Sequence, residues 1–330
     1  MRTHRPFRFG LAALLALSGA LVAPTAGARD APAGTTIEVG ELPYGIAMTP
    51  DGRRAYVAVT GTGTVKVIDT RTLKPVAEFP VGPDSTDLAI SPDGRRAYVV
   101  NDTLFSVNGA LYVFDTATHG KTGSIGIGEV PISLAVSRDG RRVYVANVFS
   151  HSVSVIDTAT GKRVREVTVD GGPVDVAVSP DGRRVYVADS GSGNADSVSV
   201  IDAATGQVVG RPGRLGSSTN GLALTPDGRQ LYVTDRDGVV NVVDTRTGRT
   251  VGAPVPVGTE PTDVTVSADG RRAYVVNEQS NSVSVIDTRT RKVVDTLPTG
   301  TGPARIALTP DGRHAFVTLY GGQAVQVFRL

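Results

Sequence analysis

From residue 35 onward, apolar and polar positions alternate in runs of strand length, and turn chemistry interrupts them at regular intervals. One stretch shows the unit. Residues 176–178 form an apolar run, Ser179-Pro180-Asp181-Gly182 follows, and further runs occupy residues 185–188 and 198–201 and begin again at Val208. These predict four strands, termed a to d. Proline at the second turn position supplies a fixed φ, and the glycine supplies the positive φ that closes the a–b turn. The c–d connection reads Asp-Thr-x-Thr-Gly, a second short turn ending in glycine.

The phrase recurs. Asp-Gly stands at Asp51, Asp93, Asp139, Asp181, Asp227, Asp269 and Asp311, at intervals of 42, 46, 42, 46, 42 and 42 residues. Arg138 and Ala268 replace the proline in two copies, which a type I turn tolerates. A four-stranded unit of this kind cannot bury both faces alone, and radial stacking buries both while leaving only short edges. The expectation is an all-β, seven-bladed β-propeller of four-stranded antiparallel blades. The seventh repeat stops after its c strand, and a lone strand precedes the first, so residues 35–39 should pair with residues 324–328 and close the ring. An open solenoid would need polar capping repeats, and none is seen.

Composition adds an address. Arg2, Arg5 and Arg8 precede an apolar run over residues 11–22 and the small-residue sequence Ala26-Gly27-Ala28. This is the layout of an export signal, too short for a membrane span. The expected organisation is a signal peptide over 1–28, a short linker over 29–34 and the propeller over 35–330, with a secreted or extracytoplasmic location and no transmembrane segment after cleavage. The whole chain has 34 Lys+Arg against 32 Asp+Glu; loss of the three signal arginines leaves 31 against 32. A bulk polyanion binder would keep a basic excess. The chain has no cysteine, so the fold must hold without disulfides, which a closed ring of this size can do.

Strand b carries a family likeness. Tyr98-Val99-Val100-Asn101, Tyr144-Val145-Ala146-Asn147, Tyr232-Val233-Thr234-Asp235 and Tyr274-Val275-Val276-Asn277 match the YVTN phrase. The chain resembles the YVTN β-propeller repeat proteins, including YncE-like periplasmic and archaeal surface-layer propellers, over residues 35–330. That resemblance implies the fold. The same scaffold is similar to lactonases, amine-dehydrogenase heavy chains and adhesive modules, so it implies no one activity.

Candidate chemistry gathers at the face carrying the d–a and b–c loops, here the top. Two long b–c connections, residues 102–110 and 190–196, break the repeat there. The start of strand a should face the channel mouth, aligning Gly45, Asp87, Ser133, Asp175, Gly221, Asp263 and Arg305, with Tyr44, Thr86 and Asn220 one position earlier. Tyr44, Asp87, Ser133, Asp175, Asn220, Asp263 and Arg305 are therefore the candidate ligand-binding set. Asp87, Asp175 and Asp263 are the candidate ligands should a divalent cation bind; no other cofactor is expected. The competing expectation is that each aspartate bonds backbone amides in its own d–a turn. The Asn or Asp ending strand b should cap the turn, and the strand-b tyrosines should pack between blades.

The opposite face carries arginine pairs after five of the seven Asp-Gly turns, as in Arg53/Arg54, Arg141/Arg142 and Arg183/Arg184, with single Arg229 and Arg313 after the other two. They could touch a polyanion or simply protect short edges. Of four histidines, only His151 falls in a top loop, and no pair has metal-ligand spacing. No catalytic constellation emerges. The expected function is a monomeric binding or scaffold module for a small molecule, glycan or protein partner on the top face. The alternatives are a metal-assisted hydrolase or lyase on the aspartate ring, and polyanion binding on the bottom rim. Sequence-specific nucleic-acid recognition is disfavoured.

Overall fold

The structure is a computed structural model that describes residues 34–102, 109–190, 197–212, 215–216 and 218–330. The expected signal segment, most of the linker and the central parts of both long b–c connections lie outside the described residues.

Seven antiparallel sheets account for the described strands. Blade 1 runs a (Pro43–Met48), b (Arg54–Val59), c (Thr64–Asp69) and d (Lys74–Pro80), and each sheet keeps this order from inside out. The inner strands of blades 2 to 7 are Ser85–Ile90, Pro131–Val136, Gly172–Val178, Thr219–Leu224, Pro261–Val266 and Pro303–Leu308. Each inner strand packs on the next, and that of blade 7 packs on that of blade 1, so the ring closes. The outer strand is irregular in two blades. Blade 4 keeps only Val208–Gly210, and blade 5 splits into Arg249–Thr250 and Val255–Pro256, both paired with its c strand.

Closure follows the expected register. The N-terminal strand Thr35–Glu38 pairs antiparallel with Ala324–Arg329, matching Thr35 to Val327 and Glu38 to Ala324. Ile37 and Val39 are buried among Val57, Phe316 and Val325, which draws three parts of the chain into one cluster.

The turns form as the repeat dictates. In the first copy Gly52 N–H donates to the Thr49 carbonyl at 2.8 Å, and Gly52 adopts φ 69°. The Thr49 hydroxyl donates to Asp51 at 2.6 Å, and Asp51 accepts the Arg53 N–H at 3.0 Å. On the c–d side Asp69 accepts from the Thr72 N–H and hydroxyl, while Thr70 donates to the Gly52 carbonyl at 2.6 Å, tying the two bottom turns together. The strand-b rings pack between blades: Tyr98 sits with Leu134, Val143 and Ile156 of the next blade.

Candidate functional site

In every blade the a–b ladder slips at the start of strand a, as between Ser85 and Asp87, Pro173 and Asp175, and Pro261 and Asp263. Such a bulge re-aims the side chain that follows. Here it turns each ring aspartate toward the neighbouring blade. Asp87 accepts the Leu88 N–H at 2.9 Å on one oxygen and the Leu134 N–H of blade 3 at 3.3 Å on the other. Asp175 does the same with Val176 (2.9 Å) and Leu222 of blade 5 (2.7 Å), and also accepts the Ser133 hydroxyl at 2.6 Å. Asp263 accepts from Val264 and from Ile306 of blade 7, both at 2.9 Å, and meets Arg305 at 3.4 Å.

This differs from the expectation that each aspartate bonds only its own d–a turn. Each carboxylate binds its own strand, but its second oxygen staples the next blade rather than the d–a turn. Ser133, Asp175 and Asp263 are buried, with their polar atoms engaged in these bonds. Among the described residues no group of three or more His, Cys, Asp or Glu is placed to hold a metal ion. Thr86 is likewise committed, its hydroxyl donating to the Pro131 carbonyl at 3.1 Å. Gly45 and Gly221 let blades approach; a Cβ on either would lie 2.7 or 2.8 Å from the Cα of Asp87 or Asp263.

Electrostatics record the enclosure. Burial raises the Asp87 carboxyl to about 7 and the Asp263 carboxyl to about 6, against the opposing pull of Arg305. Burial works against the charge on Arg305 too, yet Tyr44 and the three ring carboxylates hold its pKa above the ordinary value. Its Nε finds no hydrogen-bond partner among the described residues.

The part-buried members of the predicted set are Tyr44, Asp87, Asn220 and Arg305. The structure adds residues that the strand-a alignment passes over. Tyr320 meets Tyr44 edge-on, with ring centroids 6.2 Å apart, and the Arg305 guanidinium lies 5.3 Å from the Tyr44 ring centre. Glu278 acts on both tyrosines and is raised by burial and by Glu260. Asp102 is raised by burial, then by Asp84 and Glu129. Phe149, in the b–c turn of blade 3, is 57% exposed. These residues share the top because each b–c loop bonds its d–a loop, as in Glu278 N–H to Glu260 O (2.9 Å) and Tyr320 N–H to Gly302 O (2.8 Å).

The strand-b caps serve structure. Asn277 donates to Ser282 and Ser284 and accepts the Gly258 N–H at 3.1 Å, and Asp189 accepts the Ser199 hydroxyl. His119 stacks on Phe79 with centroids 5.0 Å apart, a packing role.

Seven four-stranded blades around one axis, sealed by the N-terminal strand, make this a seven-bladed β-propeller. Two family models match parts of the ring: a 7-bladed β-propeller lactonase over residues 61–171, and the cytochrome D1 heme domain over residues 213–317. Among solved structures the chain is similar to Kuenenia stuttgartiensis hydrazine synthase, with a TM-score of 0.81 and 24% identity over 92% of this chain and 99% of that one. That likeness concerns the fold. No curated protein matches the sequence.

The mouth does not fit a haem. Iron would need an axial ligand such as His, Cys, Met or Tyr. His119 and His314 lie at the bottom, and His151 sits exposed in the same outer turn as Phe149. Met48 ends its strand at the bottom, and burial raises the hydroxyl pKa of both Tyr44 (against the opposing pull of Arg305) and Tyr320, which opposes the phenolate that iron would require. Among the described residues no helix is long and apolar enough to cross a membrane.

Proposed function

We propose that this protein is an exported YVTN-type propeller that acts as a binding or scaffold module through its top face. Export rests on Arg2, Arg5 and Arg8 ahead of the apolar run over residues 11–22; the YVTN assignment rests on the strand-b phrase. The observation that carries the binding role is the contrast between the two faces. At the bottom, a Ser or Thr hydroxyl donates to the turn aspartate in all seven blades, the same bond each time. At the top, the residue following strand b is Thr60, Asp102, Val148, Arg236, Glu278 or Tyr320 in six equivalent places. One backbone position filled by unlike side chains is not performing one structural task. Its chemistry is largely acidic and aromatic: Asp84 and Glu129 raise the Asp102 carboxyl after burial does, Glu260 likewise raises Glu278, Glu278 acts in turn on Tyr44 and Tyr320, and Phe149 is exposed. Such a surface suits a ligand or partner segment bearing an ammonium or guanidinium group.

The test is calorimetric titration of the protein with polyamines, basic peptides and neutral glycans. Binding of the cationic probes should weaken at least about tenfold in Glu278→Gln and Tyr320→Ala, with unchanged melting temperature. Cationic probes that bind neither the parent nor these variants, or that bind all equally, overturn the reading.

One observation favours a second reading. The lactonase model spans Asp87, whose carboxyl is raised to about 7, a value suited to proton transfer. Both its oxygens already accept main-chain N–H groups. Lactone hydrolysis that is lost in Asp87→Asn would establish this reading; no turnover removes it.

A further inference from the structure

The bottom face is a near-perfect ring of small contacts, broken in an informative way. The turn proline of one blade packs on the turn glycine of the next. The Cβ direction of Gly94 points at Pro50 (3.6 Å), that of Gly140 at Pro92 (3.5 Å), of Gly228 at Pro180 (3.1 Å), of Gly270 at Pro226 (3.4 Å) and of Gly52 at Pro310 (3.0 Å). At Gly182 and Gly312 there is nothing within 4 Å, because the preceding blades carry Arg138 and Ala268 where the proline would be. Blade 4 differs in a second respect. The threonine that ties the c–d turn to the a–b turn, as Thr70, Thr116, Thr158, Thr245 and Thr288 do at 2.6 Å, is Ala203. Both departures fall on the seam between blades 3 and 4, and a cavity of about 800 Å³ opens there.

Its lining is basic. Arg138, Arg141, Arg142, Arg183 and Arg184 face Asp139, Asp181 and Asp202. All three acids already accept hydrogen bonds: Asp139 from Ser137 and the Arg141 N–H, Asp181 from Ser179 and the Arg183 N–H, and Asp202 from the Thr205 N–H and hydroxyl. Arg142 is held by Asp157, and Arg184 reaches Asp202 at only 3.8 Å. Arg138 and Arg183 have no ion pair among the described residues. A cavity between blades 5 and 6, of about 430 Å³, is by contrast balanced, with Arg229 and Arg289 against Asp227 and Asp269.

We propose that the seam between blades 3 and 4 is a binding site for a small multiply charged phosphate compound, held by Arg138 and Arg183 with support from Arg141 and Arg184. Planar guanidinium groups match phosphate oxygens in paired hydrogen bonds. The substitution of Arg138 for proline supplies a donor and removes the group that closes the seam, and Ala203 leaves the floor open. The site is independent of the top face, so either can fail without the other. It also narrows the polyanion reading of the rim: in blades 1, 3, 5, 6 and 7 the first arginine stands opposite its own turn aspartate at 3.8–4.0 Å, whereas Arg183 of blade 4 has no such pair among the described residues.

The experiment is calorimetric titration of the full chain with inorganic tripolyphosphate at low and physiological salt, with inorganic sulfate and duplex DNA as comparison probes. The expected result is saturable tripolyphosphate binding that drops at least about tenfold in Arg183→Gln and in Arg138→Pro, the latter restoring the residue found in five other blades, and that is unchanged in the blade 2 control Arg95→Gln. Ala203→Thr, which refills the floor without touching a charge, should also weaken it. No binding by the parent protein overturns the proposal. So does an equal loss in Arg95→Gln, or tighter binding of DNA than of tripolyphosphate, since either would mean diffuse attraction to the whole rim.

Discussion

Replacing Asp175 with alanine tests the claim that the ring carboxylates hold blades together. Asp175 is 7% exposed and accepts three hydrogen bonds, from Val176, Leu222 and Ser133, across three blades. A hydrogen bond to a charged group contributes about 1.5–3 kcal/mol, and the alanine variant leaves two main-chain N–H groups and a hydroxyl without partners. Relief from burying a carboxylate offsets part of this, so the net loss should be about 3–5 kcal/mol, the range found when one partner of a buried charged network is removed. At about 2 °C per kcal/mol for a domain of this size, the melting temperature should fall by about 6–10 °C in scanning calorimetry. Asp175→Asn keeps one acceptor and should lose about 2 kcal/mol. Ser133→Ala should lose about 1–2 kcal/mol and couple to Asp175→Ala by a similar amount in a double-mutant cycle. Exposed Glu129→Ala serves as the reference, expected within about 0.5 kcal/mol of the parent. An Asp175→Ala loss below about 1 kcal/mol, or no coupling to Ser133, would refute the staple.

Stability should fall as pH rises from about 4 to about 7, because folded Asp87 and Asp263 keep protons that the unfolded chain has released; each contributes a slope of up to about 1.4 kcal/mol per pH unit, and Asp87→Asn should flatten the upper half of the window in urea titrations. Below that window the trend reverses, as Asp69 and Asp287, held down to about 2 chiefly by hydrogen bonds from Thr72 and Thr290, begin to protonate. Ile37→Ala in the closing strand should cost about 2–4 kcal/mol in denaturant titrations, and Ile37→Asp should lead to an open, protease-sensitive ring. Gly221→Ala should lower stability by about 1–3 kcal/mol, since its Cβ would press on the Asp263 backbone; a neutral result would show that blades 5 and 6 can part. Arg138→Pro should raise the melting temperature by about 1–2 °C, because it restricts the unfolded chain and restores the contact to Gly182.

The blade count, the strand boundaries near Val176 and Val185, and the closing pair were legible because each repeats a local physical rule: period-two alternation, a proline-glycine turn, an unpaired edge. The ring residues were legible as a set, and their task was not. Asp87 finds its second partner in the Leu134 N–H, and a main-chain amide is the same for every residue except proline, so sequence carries no trace of that bond. Tyr320 and Phe149 escaped notice because they lie in b–c loops, outside the aligned phrase; the signal was that Tyr320 has no counterpart in the other repeats. Arg138 and Ala203 each read as a tolerated exception within its own blade. Only the ring brings one against the other, across 65 residues of chain.

The stapling pattern has a consequence for how such a ring can grow. Blades 2, 4 and 6 contribute a carboxylate, and blades 1, 3 and 5 contribute Gly45, Ser133 and Gly221, which accommodate it. A cycle with an odd number of members cannot be two-coloured, so two blades of the receiving kind must meet. They meet between blade 7 and blade 1, where Arg305 and Tyr44 fill the mismatch and Thr318 donates to the Tyr44 carbonyl at 2.8 Å. The packing module is thus the blade pair. Duplicating blades 2 and 3 together would preserve parity, whereas deleting any one of blades 2 to 5 would set carboxylate against carboxylate or leave a hollow where one belonged.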